Sequence, residues 1–239
     1  MKIIAFNGSP WGTDSNTQII VEHFLKGAAD AGAKTQTILL QQYDIKPCKG
    51  CFDCMVKTPG KCSVKDDMAG LIKKFMASDV VIFATPLHLD NITGLMKVFM
   101  DRLIQLVDPH FEKAPDGQYR HKARYNTYPK IAAISNGNMP EQSHFEVIRL
   151  MFSRLARWLH TELVAEIYRG AGGLLRSQEA AFRPIVNHYL QLVQKAGSEL
   201  AKNGKVSQQT AFELDQPLID PDQYAEYANK QWDKLLSKP

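Results

Sequence analysis

The sequence predicts an α/β protein with a doubly wound, five-stranded parallel sheet and a C-terminal helical extension. Short apolar segments of strand length alternate along the chain with longer segments of helical periodicity. This alternation is typical of parallel strands joined by right-handed helical crossovers. A polar loop and the start of a helix follow the first strand, which favours the strand order 2-1-3-4-5.

Five segments have the length and composition of strands. The first is a short apolar run that Gly8 and Pro10 end, as expected of a buried parallel strand. The second is polar in its first half, so we expect it to be less central, whereas the third is apolar on both faces. The predicted strands are residues 2–7, 34–40, 79–85, 130–135 and 161–168.

Helical periodicity separates these strands and continues beyond the last one. The predicted helices are residues 15–31, 66–74, 92–107, 141–160, 178–203 and 224–236. Two irregular segments, residues 44–65 and 108–129, interrupt the alternation, and connections as long as the second are usually functional or form interfaces. We therefore expect one flavodoxin-like domain over residues 1–203, which contains both segments, and an extension over residues 204–239.

Composition and charge exclude several classes of protein. The 239 residues carry a net charge of +4 with 23% charged residues, which is weak support for nucleic-acid binding. No apolar run reaches membrane-spanning length, and the opening apolar run lacks the features of a signal peptide. All the cysteines lie between Cys48 and Cys62, unlike the framework of a disulfide-stapled secreted domain. We expect a cytoplasmic protein without nucleic-acid or membrane partners.

The loop after the first strand is one candidate site. Its hydroxyl and amide side chains precede a helix, where free backbone N–H groups and the positive end of the helix dipole favour an anion. The loop has neither the spacing and lysine of a Walker P-loop nor the Gly-x-Gly-x-x-Gly of a dinucleotide site. Two interpretations remain open: the loop binds the terminal phosphate of a ligand, or Ser15 or Asn16 simply caps the helix.

Two further loops should lie close to this one. A sheet of the predicted order binds ligands at the carboxyl ends of its first and third strands, where the order reverses. The loops after strands one, three and four therefore form the candidate site, over residues 9–17, 86–91 and 136–138. We find no convincing catalytic triad in the sequence.

The cysteines form a second candidate site. Cys48, Cys51 and Cys54 are separated by two residues each, and Cys62 follows after a short loop. Three thiolates at this spacing, closed by a fourth from a nearby loop, favour a [4Fe–4S] cluster. Structural zinc, a redox disulfide (Cys48–Cys51 or Cys51–Cys54) and free thiols are the alternatives.

Three motifs together resemble a known family. Asn7-Gly-Ser-Pro with Ser15-Asn-Thr resembles the phosphate loop of NAD(P)H-dependent FMN reductases. Thr85-Pro-Leu-His with the segment Thr93–Arg102 resembles their second flavin loop and the helix after it. The cysteine motif followed by Asp66-Asp-Met resembles that of the iron–sulfur flavoproteins in the same superfamily. These motifs cover roughly the first half of the chain.

The resemblance implies an FMN site and assigns residues to it. There are two departures from the family pattern: Trp11 stands where an arginine is frequent, and His88 where an aromatic residue is usual. The implied FMN-binding residues are Ser9, Trp11, Ser15, Asn16 and Thr17 around the phosphate, Pro86, Leu87, His88, Leu89 and Asn91 along the isoalloxazine edge, and Asn136, Gly137 and Asn138 on its other side. The implied cluster ligands are Cys48, Cys51, Cys54 and Cys62.

Our first functional hypothesis is an FMN oxidoreductase of the iron–sulfur flavoprotein type, which passes electrons between FMN and a [4Fe–4S] cluster. Because the cofactors carry the chemistry, we predict no catalytic side chain, and NAD(P)H is the candidate co-substrate. The alternatives are a clusterless NAD(P)H-dependent FMN or quinone reductase and a non-enzymatic flavodoxin-like electron carrier or binding module. The expected partners are a redox protein or quinone-like acceptor, and further copies of the chain in a dimer or tetramer.

Overall fold

The computed structural model describes residues 1–237, so the last two residues of the predicted extension lie outside it. The strands are β1 (Lys2–Asn7), β2 (Lys34–Leu39), β3 (Val80–Pro86), β4 (Val107–Lys113), β5 (Tyr119–Ala123), β6 (Lys130–Asn136) and β7 (Leu163–Arg169). The helices are α1 (Asn16–Asp30), α2 (Asp53–Val56), α3 (Met68–Met76), α4 (Gly94–Asp101), α5 (Glu146–Trp158), α6 (Arg183–Asn203), α7 (Gln208–Asp215) and α8 (Pro221–Leu236).

The main sheet confirms the predicted topology. It has five parallel strands in the order β2-β1-β3-β6-β7, which is 2-1-3-4-5 when only the strands of this sheet are counted. Successive side chains of a strand point to opposite faces. In β1, Ile4 and Phe6 enter one hydrophobic core, with α3, α4 and α5, whereas Ile3 and Ala5 enter the other, with α1 and α6. Burial on both faces explains the continuous apolar runs of the central strands.

Helices α1 and α6 approach each other closely at two glycines. A Cβ atom at Gly27 would lie 1.8 Å from the carbonyl oxygen of Gln194, and one at Gly197 would lie 1.9 Å from that of Phe24. Neither position can accept a side chain without moving the helix backbones apart. The two glycines therefore fix the packing of α6 on α1, the helix that begins at the predicted phosphate loop.

The prediction of an irregular connection over residues 108–129 is wrong. Strands β4 and β5 pair in antiparallel fashion within this segment and form a hairpin outside the main sheet. Gly117, with φ of 80°, lies in the turn between them. Most hairpin residues after Val107 are exposed or half-buried, so the segment lacks the one-sided apolar alternation from which a strand is predicted.

Three helical segments also differ from prediction. The helix expected over residues 92–107 is shorter, because α4 ends at Asp101 and continues as a 3₁₀ segment from Arg102 to Leu106. Two helices were not predicted: α2, within the cysteine segment, and α7, within the extension.

The C-terminal segment packs on the main domain. Leu214 of α7 and Tyr224 of α8 are 1% and 2% exposed and belong to the same hydrophobic core as α1 and α6. Because their neighbours in the sequence are mostly polar or charged, no apolar pattern indicates that these two residues are buried. Across residues 1–237, no helix combines the length and apolar character that a bilayer crossing requires.

Candidate functional site

A cavity of about 310 Å³ lies at the carboxyl edge of the main sheet. It is lined by three loops that the topology brings together, after β1, β3 and β6, and by the segment that follows β7. The lining residues are Ser9, Trp11, Asp14, Ser15, Asn16, Thr17, Pro86, His88, Asn136 and Arg176. Eight of these were assigned to FMN from the sequence, so the structure brings most of the predicted residues together. We call this space the sheet-edge cavity.

Ser15 is the N-cap of α1. Its Oγ accepts a hydrogen bond from the backbone N–H of Gln18 at 3.0 Å and donates one to the carbonyl oxygen of Gly12 at 2.7 Å. The hydroxyl hydrogen is therefore already engaged within the loop. The cap interpretation holds for Ser15, whereas the first N–H groups of the helix, at Asn16 and Thr17, have no partner within it. Free N–H groups at a helix start are suited to an anion.

Thr17 and Asn136 join the first loop to the third across the cavity. The Nδ2 of Asn136 donates to the Oγ1 of Thr17 at 2.7 Å, and Thr17 is fully buried. Because that oxygen accepts, the hydroxyl hydrogen of Thr17 is free to donate to a ligand. The Nδ2 of Asn16 donates to the carbonyl of Gly172 at 2.9 Å, while its Oδ1 is buried with no partner in the described part of the chain.

The loop after β3 is a tight turn with a strained tip. The backbones of His88 and Asn91 exchange hydrogen bonds of 2.8 and 3.1 Å. The two residues between them, Leu89 and Asp90, have φ of 49° and 57°, in the left-handed region that side chains other than glycine rarely adopt. His88 lines the cavity, whereas the Leu89 side chain is fully exposed.

The remaining predicted residues do not line the cavity, and their contacts are with the protein. The N–H of Leu87 donates to the carbonyl of Asn136, and that of Gly137 donates to the carbonyl of Arg169. Asn138 accepts a hydrogen bond of 2.6 Å from the hydroxyl of Tyr224 on α8. Burial raises the pKa of Tyr224 to about 12, so this hydroxyl stays a donor at neutral pH.

Two lining residues had no role assigned from the sequence: Asp14, which lies within the predicted loop of residues 9–17, and Arg176, which lies outside all three predicted loops. Arg176 ends a 3₁₀ segment that begins at Gly172, directly after β7. No local pattern distinguishes it. The topology did offer a signal, since the loop after the fifth strand of a parallel sheet lies at the same edge as the loops after the other strands.

All four cysteines line a second cavity, of about 340 Å³, which we call the cysteine cavity. The thiols are free; Cys54 is buried, Cys62 is half-buried, and Cys48 and Cys51 are exposed. Burial raises the pKa of Cys54, and the nearby thiols add to the effect. In the described residues, no three histidine, cysteine or acidic side chains are grouped closely enough to hold one metal ion. The thiols therefore share a cavity without converging on one point.

A buried ion pair joins the two ends of the cysteine segment. Arg102 donates to the carboxylate of Asp66 through two nitrogens, and to the carbonyl of Lys46 at 2.7 Å. The carboxylate also accepts from the backbone N–H groups of Lys46 and Met68. Burial raises the pKa of Asp66, but these hydrogen bonds outweigh burial, so its pKa lies below the usual range. The Arg102 side chain also lines the cysteine cavity.

The first part of the chain matches a protein-family model. The family model described as NADPH-dependent FMN reductase matches residues 1–125, just over half of the 239 residues. This region contains the first two loops of the sheet-edge cavity and the whole cysteine segment.

Several relatives are named iron–sulfur flavoprotein. One, from Archaeoglobus fulgidus, is 36% identical over 137 residues, which are 57% of this chain and 62% of that protein. Another, from Methanosarcina thermophila, is 31% identical over 111 residues, 46% of this chain and 56% of that protein. The similarity therefore spans less than two thirds of each relative.

Solved structures share the fold at low sequence identity. An FMN-dependent NADH-azoreductase from Bacillus anthracis, solved in complex with FMN, has a TM-score of 0.62 and 15% identity, covering 84% of this chain and 99% of that one. An NAD(P)H:quinone oxidoreductase from Methanothermobacter marburgensis has a TM-score of 0.61 and 13% identity, covering 84% and 96%. At these identities the comparison establishes the flavodoxin-like fold alone.

Proposed function

The chain belongs to the NADPH-dependent FMN reductase family of flavin oxidoreductases, and we propose that it binds FMN in the sheet-edge cavity and exchanges electrons with NAD(P)H. One observation carries this proposal: eight residues assigned to FMN from sequence motifs line one cavity at the point where the strand order reverses. When bound, FMN supplies the redox chemistry, because it accepts either a hydride or single electrons.

The donors and acceptors of the cavity fit an FMN molecule. The N–H groups of Asn16 and Thr17 and the hydroxyl of Thr17 are suited to a phosphate. The buried, unpartnered Oδ1 of Asn16 is suited to a hydroxyl donor, which the ribityl chain provides. His88 and Pro86 line the cavity from the second loop, the side we assign to the isoalloxazine ring. The protein thus binds and orients the cofactor.

We further propose that the cysteine cavity holds a [4Fe–4S] cluster. The donor set has the right chemistry, since four free thiols of the expected spacing line one cavity. A cluster is wider than a single ion, so its ligands surround a space and do not converge on a point. When bound, it supplies one-electron transfer. Arg102 lines the same cavity, and its guanidinium, already paired with Asp66, has one buried nitrogen, Nε, without a partner in residues 1–237, which is suited to an anionic group.

The two cavities lie at opposite ends of α4. Thr93, the N-cap of α4, donates through its hydroxyl to the carbonyl of Gly8 in the first loop of the sheet-edge cavity. Asp101, the last residue of α4, lines the cysteine cavity together with Arg102. A helix of this length spans about 12 Å. This connection supports electron exchange between two cofactors within one chain.

A clusterless NAD(P)H-dependent FMN or quinone reductase is the second candidate. The four free thiols, which do not meet at one point in residues 1–237, are as compatible with it as with a cluster. The cysteines would then be free thiols. Membership of a reductase family disfavours the third hypothesis, a non-enzymatic carrier.

To test these proposals, the protein is purified without oxygen, and its flavin, iron and acid-labile sulfide contents and its rate of NAD(P)H oxidation are measured. We expect one FMN and about four irons per chain, as for a single [4Fe–4S] cluster. Replacement of Cys51 by serine should remove iron and sulfide but retain FMN, and Ser63→Ala, beside Cys51, is the matched control. Protein that turns over NAD(P)H with FMN but remains iron-free after reconstitution would support the clusterless reductase. Protein that binds no flavin would exclude both candidates.

We also propose a homo-oligomer, as predicted from the sequence. The β4–β5 hairpin lies outside the main sheet and exposes Phe111 and Tyr119 at 68% and 71%. Phe111 packs on His121, which packs on the partly exposed Trp158. An apolar surface of this kind favours contact with another copy. Light scattering should give a mass of at least twice the 26.9 kDa of one chain, and Phe111→Ser should lower this mass. A monomeric wild-type protein would overturn this proposal.

A further inference from the structure

The sheet-edge cavity contains groups of opposite charge near the start of α1, where we place the FMN phosphate. Two of the ten lining residues are an acid and an arginine, Asp14 and Arg176. Asp14 is the last residue of the 3₁₀ segment just before the cap of α1. A carboxylate so near the helix start opposes the binding of a phosphate, so the backbone N–H groups there act against a local negative charge.

Arg176 is positioned to offset that charge. It comes from the other end of the chain, after β7, yet lines the same cavity as the first two residues of α1. The hydrogen bond that the structure assigns to Arg176 is through its carbonyl oxygen, which accepts from Gln178. Within residues 1–237 Arg176 is an exposed residue whose guanidinium has no ion-pair partner, so it is available to a ligand.

Hydrogen bonds from residues around the cavity fix the segment that contains Arg176. The Nδ2 of Asn16 donates to the carbonyl of Gly172, and the N–H of Gly172 donates to the carbonyl of Gly137. On the other side, the hydroxyl of Tyr227 on α8 donates to the Oγ of Ser177 at 3.0 Å. The segment that carries Arg176 is thus fixed between the start of α1, the third loop and the C-terminal helix.

We propose that Arg176 is the cation that binds the FMN phosphate and makes the site select FMN over riboflavin. The inference rests on the proposed FMN site. A guanidinium pairs with phosphate oxygens in charge-assisted, bidentate hydrogen bonds. In this chain the positive charge comes from Arg176, which is distant in sequence from the loop at the start of α1. That loop contains no lysine or arginine between Ser9 and Thr17.

Flavin binding to flavin-free protein tests the proposal without any turnover. FMN and riboflavin are titrated separately into the wild type, Arg176→Gln, Arg176→Lys and Arg183→Gln, with binding followed by quenching of flavin fluorescence. Arg183→Gln is the matched control, because it removes an equal charge from an exposed arginine at the start of α6, outside the cavity.

We expect Arg176→Gln to weaken FMN binding about tenfold, as for the loss of a partly solvated charge-assisted hydrogen bond. Riboflavin binding should be unchanged, Arg176→Lys should lie in between, and Arg183→Gln should match the wild type. FMN binding should also depend less on salt in Arg176→Gln than in the wild type.

Two results would overturn the inference while leaving the FMN site intact. One is equal FMN affinity in the wild type and Arg176→Gln. The other is an equal loss of FMN and riboflavin affinity, which indicates a structural role. A wild-type protein that binds neither flavin would overturn the inference together with the proposed function.

Discussion

Arg102 and Asp66 form a bidentate ion pair with N···O distances of 2.6 and 3.2 Å, and their side chains are 1% and 0% exposed. The pair joins the residue after α4 to the end of the cysteine segment, and the same guanidinium reaches Lys46 near its beginning. A loop rich in lysine and cysteine is thereby fixed at both ends by one charged side chain.

Arg102→Met should lower the free energy of unfolding by about 3–5 kcal/mol, because it leaves the Asp66 carboxylate buried without its partner. Urea denaturation of the metal-free protein, with reductant and chelator present, measures the loss without a contribution from metal binding. Lys97→Met is the control: it breaks an exposed pair with Asp101 on α4, for which we expect about 0.5 kcal/mol or less. Similar losses in both variants would contradict the prediction.

The stabilisation by Asp66 should depend on pH in a defined direction. Its pKa in the folded protein is lowered, so its contribution is complete above the unfolded value of about 3.9 and disappears as the pH falls through the folded value. The difference in unfolding free energy between wild type and Asp66→Asn should therefore be constant from pH 7 to about pH 5 and shrink at more acidic pH. A difference that grows on acidification would show that the carboxyl is not stabilised in its charged form.

Ser15 should contribute to stability as a helix cap. Ser15→Ala should cost about 1 kcal/mol in the flavin-free protein. Ser15→Asp keeps an oxygen that accepts from the N–H of Gln18, but it loses the donation to Gly12 and adds a negative charge beside the proposed phosphate site. It should therefore keep only part of the stability and lose FMN affinity. Ser207→Ala, which removes the cap of α7 away from the cavity, should lower stability and leave FMN affinity unchanged. Undiminished FMN binding by Ser15→Asp would argue against a phosphate at this helix start.

The four thiols should differ in their rates of alkylation. In native, iron-free, reduced protein, iodoacetamide should modify Cys48 and Cys51 before Cys54, because the first two are exposed and Cys54 is 7% exposed. Mass spectrometry of peptides sampled over time measures the order, and urea-unfolded protein, in which the rates should converge, is the control. Uniform rates in the native protein would mean that the cysteine segment opens freely in solution.

The contact between Tyr224 and Asn138 should couple the C-terminal helix to the flavin site. Tyr224→Phe removes one buried hydrogen bond, so we expect the free energy of unfolding to fall by about 1 kcal/mol. The loop that contains Asn138 should also become less rigid. Thermal unfolding with and without FMN measures both effects. If the flavin-dependent shift in Tm is the same in Tyr224→Phe and wild type, α8 supports the fold alone.

The sequence was sufficient to predict the sheet and the edge of the sheet at which the candidate cavity lies. Apolar runs that are buried on both faces, separated by segments of helical period, specify parallel strands with crossover helices, and the polar loop after the first strand indicates where the order reverses. The hairpin of β4 and β5 was missed because its strands carry polar residues on both sides, so their pairing leaves no apolar period.

By itself, the sequence determined the strand order, the helix start that carries the free N–H groups, and the clustering of four cysteines in one short segment. These features follow from local periodicity and spacing. Only the tertiary structure decided that Ser15 uses its hydroxyl as a cap, that Arg102 pairs with Asp66, and that Arg176 lines the same cavity as Asn16. Each of the last two joins residues distant along the chain, and their contact depends on how the helices and loops pack around the sheet, which no local pattern encodes.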